Sequence, residues 1–193
     1  MIAARRARPR RPDWKRRRAK AFAYSIAAIA LALVIALDRA GVLMAPRNDV
    51  RRYDGVTVRV NRVIDGDTII VDLADPRTGA TTTRVRLWGI DTPELARAGA
   101  PAEPFAVAAA RFVETMVEGR WVTLLIEPHR PRGRYGRVLA HVRLESGEIL
   151  AVEVLRAGLG RADARWPHRW VETFAAAERT ARREGVGMWS DEH

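Results

Sequence analysis

Ala21 to Leu37 reads AFAYSIAAIALALVIAL, a run without a charge and with Ser25 as its one overtly polar residue. No other stretch limits so strongly what the chain can become. As a helix it is about 26 Å long at ~1.5 Å per residue, within the range of segments that cross a hydrocarbon layer. It has no polar face, so it is ill suited to lie on a globular core. Lys20 and Arg39 flank the run and can reach headgroups, and Trp14 and Tyr24 suit an interface. A cleaved signal peptide is the competing reading, because a basic segment precedes an apolar one. The basic segment is long, however, and no A-x-A site follows: Leu43-Met44-Ala45 runs into Pro46. A retained single-pass transmembrane anchor (or uncleaved signal) over 21–39 fits better. The flanking charge then keeps 1–20 as a cytoplasmic tail and puts the chain beyond about residue 40 on the periplasmic or extracellular side of the inner, cytoplasmic membrane.

Charge follows the same division. The chain carries 34 basic and 23 acidic residues, a net +11. Residues 1–20 hold ten Lys/Arg against Asp13, or +9, which leaves 24 basic and 22 acidic residues, or +2, for the rest. A near-neutral domain does not gather polyanions by bulk electrostatics, so any phosphate recognition must be local. The tail, with Pro9 and Pro12 and no apolar periodicity, is expected to be unstructured in water and to favour anionic lipid heads. The absence of cysteine rules out disulfides and thiolate metal sites.

Residues 40–52, with Pro46 and Asn48, read as a linker, and 53–193 as the folded domain. Val56–Val60, Thr68–Leu73 and Thr82–Ile90 read as three strands with short connections, an antiparallel meander. Pro104–Glu118 changes to helical period, with Phe105, Ala108 or Ala109, Phe112 and Met116 recurring and Gly119 ending it. Trp121–Ile126 and Arg137–Leu144 are two more strands around the loop Pro128–Gly136. Leu150–Ala157, closed by Gly158, and His168–Glu184, with Val171, Phe174 and Ala177 or Ala181 on one side, are helices. The fold class is mainly β, or α+β: a five-stranded barrel of oligonucleotide-binding type with three helices.

The chemistry concentrates in Val63–Glu94. Val63-Ile64-Asp65-Gly66-Asp67-Thr68 opens it, and Arg86-Leu87-Trp88-Gly89-Ile90-Asp91-Thr92-Pro93-Glu94 closes it. Carboxylates at the ends of paired strands can share a site, and oxygen-only ligands suit a hard cation such as Ca²⁺ or Mg²⁺. An arginine in the same constellation is what a phosphate needs opposite the metal. Alone, Asp65-Gly66-Asp67 would be a solvated turn and Thr92-Pro93 a strand terminator. Arg86 inside an apolar strand is harder to explain as structure, because an unpaired guanidinium there is costly. Without its neighbours, Arg137 would be one more charge in a solvated run with Arg130, Arg132 and Arg134. His129, His141, His168 and His193 lack metal-like spacing, and the tryptophans read as core or edge packing.

Together these residues resemble the staphylococcal nuclease (thermonuclease) family. The likeness rests on Val63–Thr68, on Arg86 ahead of Asp91-Thr92-Pro93-Glu94, on Tyr135-Gly136-Arg137, and on Gly187-Met188-Trp189-Ser190. It covers about residues 54–191 and says nothing of the tail or anchor. The resemblance implies Ca²⁺ held by the carboxylates of Asp67 and Asp91 and the backbone carbonyl of Thr92, with Asp65 close by. It implies Glu94 as general base or water-positioning group, Arg86 and Arg137 on the scissile phosphate, and Tyr135 in the nucleotide pocket. It also implies hydrolysis of DNA and RNA to 3′-phosphorylated products. Two positions depart from the family pattern: Gly133 stands where an acidic residue often precedes the tyrosine, and Ala164 where a tyrosine is expected, with Trp166 as an aromatic substitute.

Two function classes therefore compete, a membrane-anchored Ca²⁺-dependent nuclease and a non-catalytic module of the same fold that binds nucleic acid or protein. Retention of Asp67, Asp91, Glu94, Arg86 and Arg137 favours the enzyme. No protein partner is implied, and a monomer is expected.

Overall fold

A computed structural model describes residues 13–39, 45–96 and 99–190. Its contacts divide the chain into two units, Met1–Ala45 and Pro46–His193. In the first, helix α1 (Asp13–Arg39) contains a window, Arg18–Ile35, long and apolar enough to cross a membrane. Phe22, Ile29 and Leu31 stand exposed along it. The helix starts at Asp13 rather than Ala21, so part of the basic stretch expected to lack structure is helical. Lys, Arg and Ala are good helix formers, and an apolar helix once nucleated extends through them readily. The expectation for residues 1–12 lies outside the described residues.

The second unit opens with helix α2 (Ala45–Tyr53), in a stretch whose sequence suggests a linker. Among the described residues Val50 and Tyr53 are its apolar contacts to the core, a helical spacing too short to stand out beside Pro46 and Asn48. Buried polar contacts hold it: Asp49 and Tyr53 are almost fully covered, and Arg52 donates to the Ala74 carbonyl at 2.6 Å. Tertiary pairing here overrides a weak local preference.

The barrel consists of β1 (Thr57–Asp65), β2 (Thr68–Val71), β3 (Thr83–Leu87), β5 (Trp121–Ile126) and β6 (Val138–Arg143), closed in the order β1-β2-β3-β6-β5. β1, β2 and β3 form the expected antiparallel meander, and β6 closes the barrel by pairing parallel to β3. Closure leaves the barrel no free edge. The alternation that identifies each strand in the sequence places Val60, Ile69, Val85, Leu124 and Val142 inside, all fully buried. The expected third strand divides. β4 (Ile90–Asp91) leaves the barrel at Gly89, whose φ is 79°, and pairs with β7 (Arg161–Ala162) as a separate two-stranded sheet.

Three helices cover the barrel, α3 (Ala106–Val117), α4 (Leu150–Arg156) and α5 (Val171–Glu184). α5 buries Phe174, Ala177 and Ala181, as its period indicates. α3 is turned from the expected face: it buries Ala106, Ala109, Val113 and Val117, while Phe112 and Met116 are only partly covered. Phe105 caps its start with φ 66° and is 37% exposed. Small residues face inward because the helix lies close to β1, where larger side chains would not fit.

Gly187-Met188-Trp189-Ser190 has a structural role. Gly158 closes α4 in the left-handed region (φ 66°), and Met188 N–H donates to its carbonyl at 2.9 Å. Trp189 is buried, with Arg161 and Arg182 guanidinium carbons 4.7 and 4.1 Å from its ring centroid. A Cβ on Gly158 would collide with the Val186 carbonyl. Gly158→Ala is therefore expected to destabilise the protein by on the order of 2–4 kcal/mol, the left-handed backbone and the collision adding. A urea-unfolding midpoint unchanged from wild type would refute this packing.

Candidate active site

The site lies outside the barrel wall, where β1, β2, β3 and β6 end. Asp65 pairs with Thr68, so Gly66-Asp67 is a two-residue hairpin turn. The turn presses against the segment after β4: a Cβ on Gly66 would stand 2.7 Å from Thr92 Oγ1 and 2.8 Å from Ala109 Cβ. Glycine is needed there for close approach, and that approach brings Asp67 beside Asp91-Thr92. Asp65 Oδ1 accepts from the Asp67 backbone N–H at 3.1 Å, and the Thr68 hydroxyl donates to Asp67 Oδ1 at 2.8 Å. Asp65, Asp67, Thr68 and Thr92 are all buried.

Arg86 joins the two halves. It sits opposite Thr68 in the β2–β3 register, and its guanidinium forms an ion pair with Asp67. Its other terminal nitrogen donates to Asp91 Oδ1 at 2.7 Å and to the Ile90 carbonyl at 3.3 Å. Burial works against its charge, but Asp67 and Asp91 outweigh burial and hold its pKa above the ordinary value. The expected partners of this buried arginine are thus the site's own carboxylates.

Arg137 arrives from β6. In the parallel pairing Leu139 stands beside Arg86, and Arg137, two residues earlier, continues on the same face. Its Nη1 donates to Thr68 Oγ1 at 3.1 Å. Burial and then the nearby Arg86 charge lower its pKa, against the carboxylates of Asp67, Asp65 and Glu94. Two partly buried guanidinium groups held within reach of each other make a place for an anion. Glu94 is fixed through its backbone: its N–H donates to Glu103 Oε2 at 2.9 Å, and Glu103 N–H returns a 2.9 Å bond to the Glu94 carbonyl.

Beside these groups opens a cleft of about 300 Å³ lined by Arg86, Arg137, Tyr135, Arg130 and Trp166. Tyr135 is 79% exposed at its rim. Trp166 forms part of the wall, its ring 3.7 Å below the Arg130 guanidinium, so an aromatic face persists despite Ala164. His141 and His168 instead meet Trp170 and Phe174 beneath α5, with His141 Nε2 3.3 Å from Glu127 Oε1.

The donor set fits a hard divalent cation. Among the described residues no three acidic or histidine side chains form a metal-holding group. Two carboxylates and the carbonyl of Thr92 would leave the remaining positions to water and substrate oxygens, which such cations accept. Desolvation by burial pushes the Asp67 carboxyl up to about 6, against the Arg86 charge, so this carboxylate lacks the solvation that a cation would replace.

The sequence misjudges one residue. Arg132 is no member of a solvated run; its side chain is 6% exposed and pairs with Asp49 and Asp75. These partners lie 83 and 57 residues away, and no local pattern announces them.

Comparison with known proteins agrees with the fold and the motifs. The family model described as staphylococcal nuclease homologue matches residues 84–191, a span that holds Arg86, Asp91, Thr92, Glu94, Tyr135 and Arg137. A thermonuclease of Staphylococcus intermedius is 33% identical over 167 residues, 85% of this chain and 94% of that protein. A thermonuclease of Staphylococcus hyicus is 32% identical over 136 residues, covering 70% and 76%. A probable endonuclease of Clavispora lusitaniae is 32% identical over 156 residues, covering 68% and 66%. Together with the barrel, these matches define an enzyme of the nuclease class. The chain belongs to the family of staphylococcal nuclease homologues.

The Asp67 shift has a defined consequence for cation-free protein. A carboxyl whose folded pKa is raised contributes stability below its unfolded pKa of 3.8 and loses it as pH rises through about 6. In chelator, Asp67→Asn should gain on wild type by on the order of 1–3 kcal/mol between pH 4 and pH 7. Urea denaturation at the two pH values measures that difference, and a constant gap would show that Asp67 titrates normally.

Proposed function

We propose that this protein is a Ca²⁺-dependent phosphodiesterase that hydrolyses DNA and/or RNA to 3′-phosphorylated products. The observation that carries the reading is the Arg86 bridge between Asp67 and Asp91, with Arg137 on Thr68 next to it. Asp67, Asp91 and the Thr92 carbonyl would hold the cation, and Asp65 orients the turn that carries Asp67. When bound, Ca²⁺ supplies charge opposite the phosphate oxygens and polarises the P–O bond. Arg86 and Arg137 grip the equatorial oxygens with planar forks, matching the geometry of the developing charge. Glu94 orients the attacking water and accepts its proton. Tyr135 and Trp166 offer faces to the flanking nucleotide, a sequence-tolerant contact suited to general nucleic-acid substrates. The thermonuclease and endonuclease names of the relatives support the same chemistry.

The same proposal assigns α1 to a retained membrane anchor. Its basic flank faces the cytoplasm and the barrel faces the outer side, where calcium at millimolar level suffices for a weak oxygen-ligand site.

The test uses the full-length chain in detergent with single- and double-stranded DNA and RNA, in Ca²⁺, Mg²⁺ or chelator. Cleavage should require Ca²⁺, leave 3′-phosphate ends, and fall at least about 10²-fold in Glu94→Ala and in Arg137→Ala. A folded protein that binds Ca²⁺ and cuts nothing would sink the catalytic reading and leave a binding module.

A further inference from the structure

Arg132 uses its whole guanidinium. Nε donates to Asp49 Oδ2 at 2.7 Å, and Nη2 to Asp49 Oδ1 at 2.9 Å. Nη1 and Nη2 reach the two oxygens of Asp75 at 2.7 and 2.8 Å, and Nη2 also lies 3.2 Å from the Tyr53 hydroxyl. The remaining contact runs to the catalytic loop: Nη1 donates to the Gly136 carbonyl at 2.8 Å. That carbonyl belongs to the peptide linking Gly136 to Arg137.

Such a cluster is a poor way to gain stability. Asp49, Asp75 and Tyr53 are each at most 4% exposed, and two carboxylates and a guanidinium taken out of water cost about as much as their attraction returns. Apolar side chains would fill the space as well. What an apolar filling could not do is hold one backbone carbonyl at a fixed point. The loop needs that hold. Its span Gly133–Arg137 is closed by a 2.9 Å bond from Gly133 N–H to the Arg137 carbonyl, and Gly136 lies at φ 76° with open space around its Cα. Gly133 itself offers no side chain to brace it. Arg132, on the inner side of the loop, links it to α2 through Asp49 and to the β2–β3 connection through Asp75.

We infer that Arg132 is a positioning residue for Arg137, and that Asp49 of the pre-barrel helix and Asp75 are the struts against which it holds the loop. This rests on the hydrolytic reading above for its effect on rate, but the hold itself is readable without cleavage. The planar fork is essential: lysine carries the charge but its three donors at one point cannot pair twice with each carboxylate and also reach the carbonyl.

The test compares full-length wild type with Arg132→Lys and Asp49→Asn, at a temperature where circular dichroism shows every variant folded. Amide hydrogen exchange should accelerate over Gly133–Arg137 relative to strands β1 and β5. kcat should fall about tenfold to a hundredfold, the scale of a misplaced phosphate contact, with a smaller change in KM. Arg137→Ala added to Arg132→Lys should cost far less than Arg137→Ala alone, because the two losses are one loss. Calcium affinity should hold, since Asp67 and Asp91 are untouched. Asp49→Asn weakens one of the two struts behind Arg132 and leaves the arginine in place, so it reads the loosened hold in milder form if Arg132→Lys fails to fold. Unchanged loop exchange in a folded variant, or losses that multiply, would reduce Arg132 to a structural residue and overturn the inference. A wild-type protein that cuts no nucleic acid would instead overturn the hydrolytic reading, with the exchange result still deciding whether Arg132 holds the loop.

Discussion

The site depends on one partly buried guanidinium held between two carboxylates. Arg86 comes from a barrel strand, Asp67 from the β1–β2 turn and Asp91 from the short strand that leaves the barrel. Taking these groups partly out of water offsets most of what their attraction returns, and the raised Asp67 carboxyl shows that balance. The triad is therefore not what keeps the barrel folded. The reverse holds: the closed sheet and its apolar interior fix the three backbones, and the charges are carried at its mouth. Both terminal nitrogens of Arg86 already serve carboxylates, so a cation on those acids would free the fork for another anion while the barrel keeps the backbones fixed.

Barrel closure decides which residues meet. Thr68, Arg86 and Leu139 stand in one row across β2, β3 and β6, so the face that carries Arg86 also carries Arg137. The parallel β3–β6 pair requires a long crossover, and β5, α3 and their connections supply it. The crossover brings the Tyr135-Gly136-Arg137 loop back to the mouth of the barrel, although about fifty residues separate Arg86 from Arg137 in sequence.

The strands were legible because a half-buried strand must alternate, and Val85-Arg86-Leu87 shows how far that rule reaches: its flanking residues point inward and Arg86 points out. Asp67, Asp91 and Arg86 were legible for a different reason, because charge at the ends of apolar runs needs partners. α2 and Arg132 were not. Each is stabilised by the other across a large sequence separation, through polar contacts and one short apolar turn, so a window-by-window reading finds only a linker and a charged loop. β4 escaped because a two-residue strand is defined by its partner β7 and not by its own residues. The buried face of α3 was missed by one position because alanine and phenylalanine both count as apolar, and only proximity to β1 selects the smaller.

Charge distribution completes the argument for a local site. Outside the tail the net charge is only +2, so the barrel has little long-range field with which to gather a polyanion. Positive charge near the candidate site is instead local, a few arginines around one cleft, with Arg86 and Arg137 partly desolvated by their surroundings. Desolvation makes each contact stronger than it would be on an open surface, since Coulomb attraction grows as the effective dielectric falls. The same desolvation makes each contact sensitive to geometry, because a misplaced buried charge finds no water to replace its partner. Arg132 occupies the point in the fold from which the Gly136 carbonyl, next to Arg137, is held.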